Sequence, residues 1–415
     1  MFRKLVHFEK ALQILQREFP IRPIDVEQVT LSEALGRILA HEVLSPENVP
    51  SFDRSTVDGY AVKAADTFGA DENRPVTLTL KGYVAIGGLP HAIVRNGAVA
   101  EIVTGAPLPS GADAVVMVEY AVRRGNVISI HRPVSKGENI MKAGSDFQKG
   151  EKILRKGQVL GPREVGALAA IGLPKVSVFK KPKIAVLSTG EEIVEQGKPL
   201  PPGKVYDINT HTLSSAVQSF GGDPINLGVV PDDFGLLKAA LDKALGLADV
   251  VITSGGVSVG PKDIVPRVLD TLGKPGVIVN GIAVKPGKPT TIAVVNKKLI
   301  FSLPGHPTSS LMMFYLLARP VLDQLTGKHE GAPQTLKAVA ATRMFPARGR
   351  KTLTMVTIDH GKSGRLVASP VPLGLSGAIS TLTKADGFVE IEEERQFVDV
   401  GEEVTVSLFR YKQGF

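Results

Sequence analysis

The sequence predicts a multidomain α/β protein whose main domain is a doubly wound parallel sheet. The chain has 415 residues, more than one hydrophobic core usually organises. Between residues 181 and 329, near-continuous Val/Ile strands alternate with amphipathic helices, which is typical of a parallel sheet covered on both faces. The segments on either side of this domain are mostly strand-like and are broken by Gly and Pro, which predicts smaller β-rich units.

The first part of the chain is predicted to form a helical and linker domain from residues 1–48 and 136–180. A β-rich inserted domain, residues 49–135, interrupts it. The inserted domain contains the strand-like segments "VTLTLKGYVAIGG", "AVAEIVTGAP", "DAVVMVEY" and "NVISIHRPV".

Three helices are expected in the helical and linker domain. Apolar residues at helical spacing predict the first helix over residues 8–19. The segment "TLSEALGRILA" predicts a second helix, because Thr30 and Glu33 form a capping-box pattern before an apolar stripe. A third, short helix is expected at 162–171.

The main domain, residues 181–329, contains the predicted strands "KIAVLS", "INLGVV" and "DVVIT". Its predicted helices cover residues 209–220, 232–246, 263–272 and 308–325. Beyond about residue 330 only strand-like segments remain, which predicts a small all-β, barrel-like C-terminal domain at 330–415.

Composition excludes several classes of protein. Apolar residues make up 43% and charged residues 22%, values that argue against disorder. The charged N-terminus and the lack of any run near ~20 apolar residues predict a cytoplasmic protein that does not enter a membrane. Without cysteine, a metal must be bound by oxygen or histidine. The net charge of +8 suits anionic ligands, but scattered basic residues and only 5% aromatics argue against nucleic acid as the partner.

Three glycine-containing loops follow predicted strands of the main domain: "STGEE" (188–192), "TSGGVSVGPKD" (253–263) and "LPGHPTSS" (303–310). Ligands of an open α/β sheet bind beyond the carboxyl ends of the strands, where glycine lets backbone N–H groups approach an anion. One such turn can be an ordinary tight connection, but three predict a phosphate or oxyanion site. The residues predicted to bind substrate there are Ser188, Thr189, Gly190, Ser254, Gly255, Gly256, Ser258, Pro304 and Gly305.

The segment "VKPGKPT" (284–290) superficially resembles a nucleotide P-loop. Its spacing from Gly281 is wrong, and Pro289 prevents the required helix, so it is not a Walker motif. Its rigid turn can instead hold Lys285 and Lys288 beside the anion site. Two solvated surface lysines would give the same pattern.

Three acidic residues, Glu192, Asp232 and Asp263, fall at or just after predicted strand ends, beside these loops. Two like charges ~4 Å apart in a partly shielded site cost several kcal/mol unless a cation bridges them. Mg²⁺ fits, because it prefers oxygen ligands and is often shared between carboxylates and phosphates. A helix N-cap remains the alternative for Asp232 and Asp263 individually. The set predicts a magnesium site in which these two are the ligands.

Seven motifs occur in order along nearly the whole chain: "SFDRSTVDGYAV", "VTGAPLPSGADAVVMVE", "AGSDFQKGE", "LSTGEEI", "TSGGVSVGPKD", "VKPGKPT" and "LPGHPTSS". With them the sequence resembles the molybdopterin molybdenumtransferase family, which includes bacterial MoeA and the E domain of gephyrin. The α/β motifs alone would also suit molybdopterin adenylyltransferases and related single-domain proteins.

The resemblance implies a molybdopterin-binding α/β domain and an enzyme that inserts molybdate into adenylylated molybdopterin, releasing AMP with the help of Mg²⁺. It also implies an elongated homodimer in which the α/β domain of one subunit faces the N-terminal loops of the other. Catalytic roles carry over to Asp58, Thr104 and Asp146 from the partner subunit, and to Glu192 and Asp263. The resemblance further assigns molybdate to Lys285, Arg350 and Ser376.

Three positions depart from the pattern of the family. His306 replaces the usual Asn, Gly281 replaces a lysine, and the arginine expected after the Gly349–Arg350 pair is missing. The choice between molybdate and tungstate therefore stays open. A peptide-binding scaffold, as gephyrin relatives are, and a pterin carrier without chemistry remain as alternative functions.

Overall fold

The computed structural model describes residues 5–257, 264–328, 335–361, 364–371 and 379–409. Within these ranges no helix is long and apolar enough to cross a membrane. The predicted site residues Ser258, Asp263 and Ser376 lie outside the described residues.

The chain begins with α1 (Phe8–Glu18), which buries Phe8, Ala11 and Leu15 as predicted. Three short strands follow, and each belongs to a two-stranded antiparallel pair. They are β1 (Val26–Thr30), β2 (Val43–Leu44) and β3 (Arg54–Ser55).

The helix predicted from "TLSEALGRILA" is wrong. The capping contact forms, because the Thr30 backbone N–H donates to Glu33 Oε2 at 3.1 Å, but only one 3₁₀ turn follows. Gly36, with φ +74°, then reverses the chain. The apolar residues of the segment do not form one helical face. Leu39 is buried and forms a β-bridge with Val178, while Leu35 is exposed.

The inserted domain is a six-stranded sheet with the order β7-β4-β6-β5-β9-β8. Its core is a cluster of apolar side chains that includes Val62, Val99 and Val116. The strands are β4 (Gly59–Val62), β5 (Val76–Val84), β6 (Ala98–Ile102), β7 (Ala114–Met117), β8 (Ala121–Arg124) and β9 (Val127–Ile130).

The returning chain pairs with the earlier strands in reverse order, β10 with β3, β11 with β2 and β12 with β1. This nesting explains how the sheet can be an insertion, since the chain leaves and returns along the same two-stranded ribbons. The returning elements are β10 (Ile140–Met141), β11 (Lys152–Leu154), α2 (Pro162–Ala170) and β12 (Lys175–Phe179).

The central domain alternates strands and helices as predicted. Its strands are β13 (Lys183–Thr189), β14 (Ile193–Val194), β15 (Val205–Tyr206), β16 (Asp223–Val230), β17 (Val250–Ser254), β18 (Pro275–Asn280), β19 (Val284–Lys285), β20 (Thr291–Val295) and β21 (Lys298–Leu303). Its helices are α3 (Asn209–Ser219), α4 (Phe234–Leu247), α5 (Val265–Leu272), α6 (Pro307–Met313) and α7 (Arg319–Leu325), the last two joined by a π-helical turn at Phe314–Ala318.

The main sheet has the order β16-β13-β17-β21-β20-β18, and its first four strands are parallel. The predicted doubly wound parallel sheet is confirmed for these four strands, whereas β20 is antiparallel to both of its neighbours. Asn296 and Lys297 both adopt positive φ and form the tight hairpin turn that reverses the chain. Helices cover both faces, with α3 and α6 on one core and α4 and α5 on the other.

The C-terminal domain is a small barrel, as predicted. Its sheet runs β19-β23-β24-β22-β26-β25, and an additional β23–β25 pairing closes it. One helix, α8, was not predicted. The elements are β22 (Thr335–Ala340), β23 (Lys351–His360), β24 (Leu366–Pro370), α8 (Ile379–Lys384), β25 (Gly387–Ile391) and β26 (Glu403–Leu408).

Candidate functional site

The three predicted glycine loops meet at the carboxyl ends of β13, β17 and β21. In the register of these parallel strands, Ser188 lies beside Ser254, and Ser254 lies beside Leu303. We call residues 188–190, 254–256 and 303–305 the sheet rim. The prediction that these loops lie together is confirmed by this register.

Glycine is required at the centre of the sheet rim. Gly255 has φ +100°, and a Cβ atom there would stand 2.0 Å from the carbonyl oxygen of Thr189. A Cβ on Gly305 would lie 3.5 Å from the Cα of Gly255, so the two loops are in backbone contact. Gly256, with φ +63°, is equally closed to a side chain by Val265.

Asn209, the first residue of α3, ties two of the rim loops together. Its Nδ2 donates to Ser254 Oγ and to the Gly305 carbonyl, both at 2.7 Å. Ser254 Oγ in turn donates to the Pro304 carbonyl at 3.0 Å. The Oδ1 atom of Asn209 is buried and has no hydrogen-bond partner.

Asp207 fixes the first rim loop, residues 188–190. Its buried carboxylate accepts hydrogen bonds from Ser188 Oγ at 3.0 Å and from the backbone N–H and hydroxyl of Thr210. The end of β13 is therefore attached to the start of α3. Because the same helix begins with Asn209, one short segment positions all three rim loops.

The predicted metal ligands are only partly described. Asp232, exposed just after β16, accepts a hydrogen bond from Thr189 Oγ1 at 2.5 Å through its Oδ1 atom. Glu192 is exposed beside Gly190. The described ranges contain no group of three His, Asp or Glu side chains that would hold a metal ion. One or two carboxylates, such as those of Asp232 and Glu192, would suit Mg²⁺, because this ion often completes its shell with water and substrate phosphates.

An open groove of about 550 Å³ adjoins the rim at Gly190. Lys204 lies along it and donates to the carbonyl of Glu191 at 2.5 Å, and Lys198 pairs with Glu195. The groove therefore offers both charged and apolar surface next to Asp232. The other lining residues are Ile193, Val194, Val229 and Pro231.

Strand pairing places Lys285 near Arg350, which directly precedes β23. β19 and β23 are parallel neighbours, with Val284 beside Lys351 and Lys285 beside Thr352. Lys288 lies on the same turn, and Gly287 packs so closely on α6 that a Cβ there would meet Met313 Sδ at 2.1 Å. The basic turn therefore packs against the C-terminal end of α6, the helix that follows the rim loop 303–305.

Lys351, next to Arg350, is the centre of a charge cluster. Its Nζ lies 3.0 Å from Glu392, 3.2 Å from Glu390 and 3.7 Å from Glu9. Burial acts to lower the pKa of Lys351, but hydrogen bonds and charge from Glu392 and Glu390 outweigh it and raise that pKa. The cluster links α1 to β23 and β25 of the barrel.

Asp58 and Thr104 form a pair in the inserted domain. Asp58 Oδ1 accepts from the Thr104 backbone N–H at 2.7 Å and from its hydroxyl at 2.9 Å. The backbone bond first, and then the hydroxyl bond, hold the pKa of Asp58 below its usual range. Asp58 is therefore a stable carboxylate on an exposed surface.

Asp146 lies on a neighbouring loop of the same part of the molecule. Its backbone N–H donates to the Val49 carbonyl, while Lys142 pairs with Asp53 at 2.6 Å. We call Asp53, Asp58, Thr104 and Asp146 the N-terminal acidic surface. Among the described residues, no hydrogen bond or salt bridge joins this surface to the sheet rim.

Two of the departures from the family pattern have structural settings. Gly281 adopts φ +88° in a buried turn, a backbone conformation in which a lysine would be strained. His306 is the exposed N-cap residue of α6, and its side chain makes no capping hydrogen bond.

Sequence reasoning missed Asp207, Asn209, Lys198 and Lys204. The tripeptide Asp-Ile-Asn before the helix at 209 was the available signal, since Asp and Asn are favoured at helix starts. Capping alone would have explained both residues, however, and would not have led to the rim.

Family models cover most of the chain. The model for the MoeA N-terminal region (domain I and II) matches residues 6–172, and the probable molybdopterin binding domain matches residues 185–324. The MoeA C-terminal region (domain IV) matches residues 337–409.

Individual relatives match over nearly their full lengths. The molybdopterin molybdenumtransferase of Haemophilus influenzae is 34% identical over 414 residues, which are 99% of this chain and 100% of the relative. The Bacillus subtilis enzyme of the same name is 33% identical, over 99% of this chain and 94% of the relative. A crystal structure of a molybdopterin biosynthesis MoeA protein from Pyrococcus horikosii is 44% identical, with a TM-score of 0.86 over 99% of this chain and 100% of that one. The chain therefore belongs to the molybdopterin molybdenumtransferase family, a family of transferases in molybdenum cofactor biosynthesis.

Proposed function

We propose that this transferase inserts molybdate into adenylylated molybdopterin and releases AMP. The observation that carries the proposal is the convergence of three glycine-containing loops on Asn209 and Asp207 at the sheet rim. Glycine at these contacts leaves the backbone N–H groups of the loops uncovered by side chains, which suits them to contact the phosphate groups of a substrate. Ser188, Thr189, Gly190, Ser254, Gly255, Gly256, Ser258, Pro304 and Gly305 are the proposed substrate-binding residues.

The basic turn next to α6 is the proposed site for the second anion, molybdate. Lys285 lies on β19, Arg350 directly precedes the paired strand β23, and Lys288 lies on the same turn as Lys285. Cationic side chains on two different elements can contact different oxygens of one oxyanion. Ser376 is assigned to the same site by family resemblance. Tungstate, which has the same charge and shape, remains an alternative substrate.

Asp232 and Asp263 would hold Mg²⁺ at the rim, with Glu192 in the same pocket. When bound, Mg²⁺ would supply positive charge to the phosphate oxygens while water adds to a phosphorus of the phosphoanhydride, so that its P–O bond breaks and AMP leaves. Thr189 holds Asp232 in place through the 2.5 Å hydrogen bond. In this proposal the rim residues orient the substrate phosphates, and Thr189 orients the Asp232 carboxylate towards them.

We further infer that Asp58, Thr104 and Asp146 act on the rim of a second copy of the chain, in a homodimer. These residues are exposed, and Asp58 is kept ionised by Thr104. The Asp58 carboxylate makes no hydrogen bond to the sheet rim of its own chain among the described residues. It is therefore suited to completing a site between two subunits.

The test is AMP release by the purified protein supplied with adenylylated molybdopterin, molybdate and Mg²⁺. Wild-type protein should release AMP, and Asp232→Asn should require about 10- to 100-fold more Mg²⁺ for the same rate, the usual range for a damaged metal site. Asp233→Asn is the matched control. Asp233 is the N-cap of α4, accepting from the Leu236 N–H, and Asn caps equally well.

Two results would contradict the proposal. One is a wild-type protein that releases no AMP under these conditions. The other is an Asp232→Asn variant whose Mg²⁺ dependence matches that of Asp233→Asn.

A further inference from the structure

Three successive carbonyl groups of the third rim loop point into the protein. The Leu303 carbonyl accepts from the Gly255 N–H at 3.1 Å, and the Pro304 carbonyl accepts from Ser254 Oγ at 3.0 Å. The Gly305 carbonyl accepts from Asn209 Nδ2 at 2.7 Å. Each of these oxygens is therefore already used by a neighbouring element of the same domain.

This arrangement fixes where the amides of the loop point. The peptides that join Pro304, Gly305 and His306 are trans, and in a trans peptide the N–H is directed opposite to the C=O. The His306 N–H therefore faces away from Asn209, and the Gly305 N–H faces away from Ser254 Oγ, which Asn209 itself holds. Gly305 and His306 are exposed, and neither N–H donates in any of the backbone hydrogen bonds of the described residues. Two adjacent N–H groups of one short loop, both without an acceptor among the described residues, can donate to an anion.

Asn209 determines this direction through the chemistry of its amide. Both hydrogens of Nδ2 are used, one for the Gly305 carbonyl and one for Ser254 Oγ. Because Ser254 accepts from Asn209, its own hydrogen is available for the Pro304 carbonyl. A flipped amide would place Oδ1 against the Gly305 oxygen, so the orientation is unambiguous even though it leaves a buried Oδ1 without a partner.

We propose that Asn209 is a positioning residue that aims the amides of Gly305 and His306 at the phosphate groups of the substrate. This inference rests on the proposed function, because it takes the sheet rim to be the phosphate site. Asn209 itself is buried and acts through the peptides that it holds. Its role is thus separate from those of the residues that contact substrate.

Calorimetric titration with inorganic pyrophosphate tests the inference without any metal transfer. Asn209→Asp replaces the donor by an acceptor, which repels the Gly305 carbonyl and releases the loop. We expect the affinity for pyrophosphate to fall about 10- to 100-fold, as for the loss of one or two hydrogen bonds to a charged group. Asn209→Ala removes the donor without adding charge, and we expect a smaller loss in the same direction.

Asn226→Asp is the matched control. It adds the same charge to the same domain, but Asn226 is exposed and uses only Oδ1, as an acceptor from the Gly228 N–H. An aspartate can make the same contact, so pyrophosphate affinity should stay at the wild-type value. Thermal unfolding of each variant shows whether it is folded, and Asn209→Ala serves as the test if Asn209→Asp does not fold.

Backbone NMR gives a readout that a merely structural role would not change. The chain has eight histidines, so ¹⁵N-histidine labelling gives few amide signals, and His306→Asn identifies that of His306. Pyrophosphate should shift the His306 amide in the wild type and in Asn226→Asp, but not in Asn209→Asp. An equal shift or equal affinity in folded Asn209 variants overturns the inference, as does a wild type that binds no pyrophosphate. If only the proposed function is wrong, the wild type would still bind pyrophosphate but would release no AMP.

Discussion

The sheet rim and the N-terminal acidic surface are constructed in opposite ways. The rim is assembled from residues far apart in sequence, and its polar side chains Ser188, Ser254 and Asn209 are buried. The acidic surface is exposed, and its contacts, such as that of Asp58 with Thr104, fix single side chains on neighbouring loops. The geometry of the sheet rim depends on packing. The N-terminal acidic surface presents charged side chains that could be removed without disturbing the backbone beneath them.

The difference indicates how each region should respond to substitution. A change at the rim alters backbone positions, because backbone contacts backbone there. A change at the acidic surface alters charge and leaves the core untouched. The proposed reaction needs both regions, and three experiments separate their contributions.

The largest expected effect is complementation between the two regions. Asp58→Ala and Asp232→Asn variants should each be nearly inactive at limiting Mg²⁺. Mixed under subunit exchange, they should recover about a quarter of wild-type AMP release, because half of the dimers are mixed and each has one intact site of two. A mixture of Asp58→Ala with Thr104→Ala has no intact site and is the control. Absence of recovery in the first mixture would show that the regions do not meet between subunits.

Glycine substitution gives the next largest effect. Gly255→Ala should destabilise the fold by about 1–3 kcal/mol and abolish activity, because its Cβ would overlap the Thr189 carbonyl. Gly105→Ala, beside Thr104, is the counterpart. It has a similar φ of +82°, but its Cβ would meet only the mobile end of Ile86 at 3.2 Å. Denaturant unfolding measures both variants, and an equal loss of stability would mean that the rim is not more tightly packed.

The smallest effect concerns protonation of the acidic surface. Thr104→Val removes the hydroxyl donor to Asp58 but keeps the backbone N–H, so the pKa of Asp58 should rise part of the way towards its ordinary value. Because the folded-state pKa is lowered, the two bonds stabilise the fold above the ordinary pKa of aspartate and stop doing so as pH falls through the lowered value. Carboxyl-carbon NMR follows the titration, with Asp53 as the unaffected reference. An unchanged pKa of Asp58 would show that the hydroxyl contributes nothing.

Local patterns predicted the elements that depend on local chemistry. The amphipathic α1, the buried Val/Ile strands and the three glycine loops could all be found from spacing and residue type. The helix expected after Thr30 failed because residues 38–39 were needed for pairing with distant segments, which local propensity does not contain. The reversal at β20 was missed for a similar reason, since a single Asn-Lys turn decides the direction of a whole strand.

The sequence by itself determined which loops carry glycine and acid, and therefore which loops form the candidate ligand site. Only the tertiary structure decided that Asn209 and Asp207 hydrogen-bond to those loops. It also decided that Lys285 lies on the strand that pairs with β23, which begins directly after Arg350. The physical reason is that the conformational freedom of a glycine and the solvation of a charged side chain are local properties, which can be read from the residue type. A hydrogen bond between residues 96 positions apart, such as Asn209 to Gly305, exists only after the intervening chain has packed.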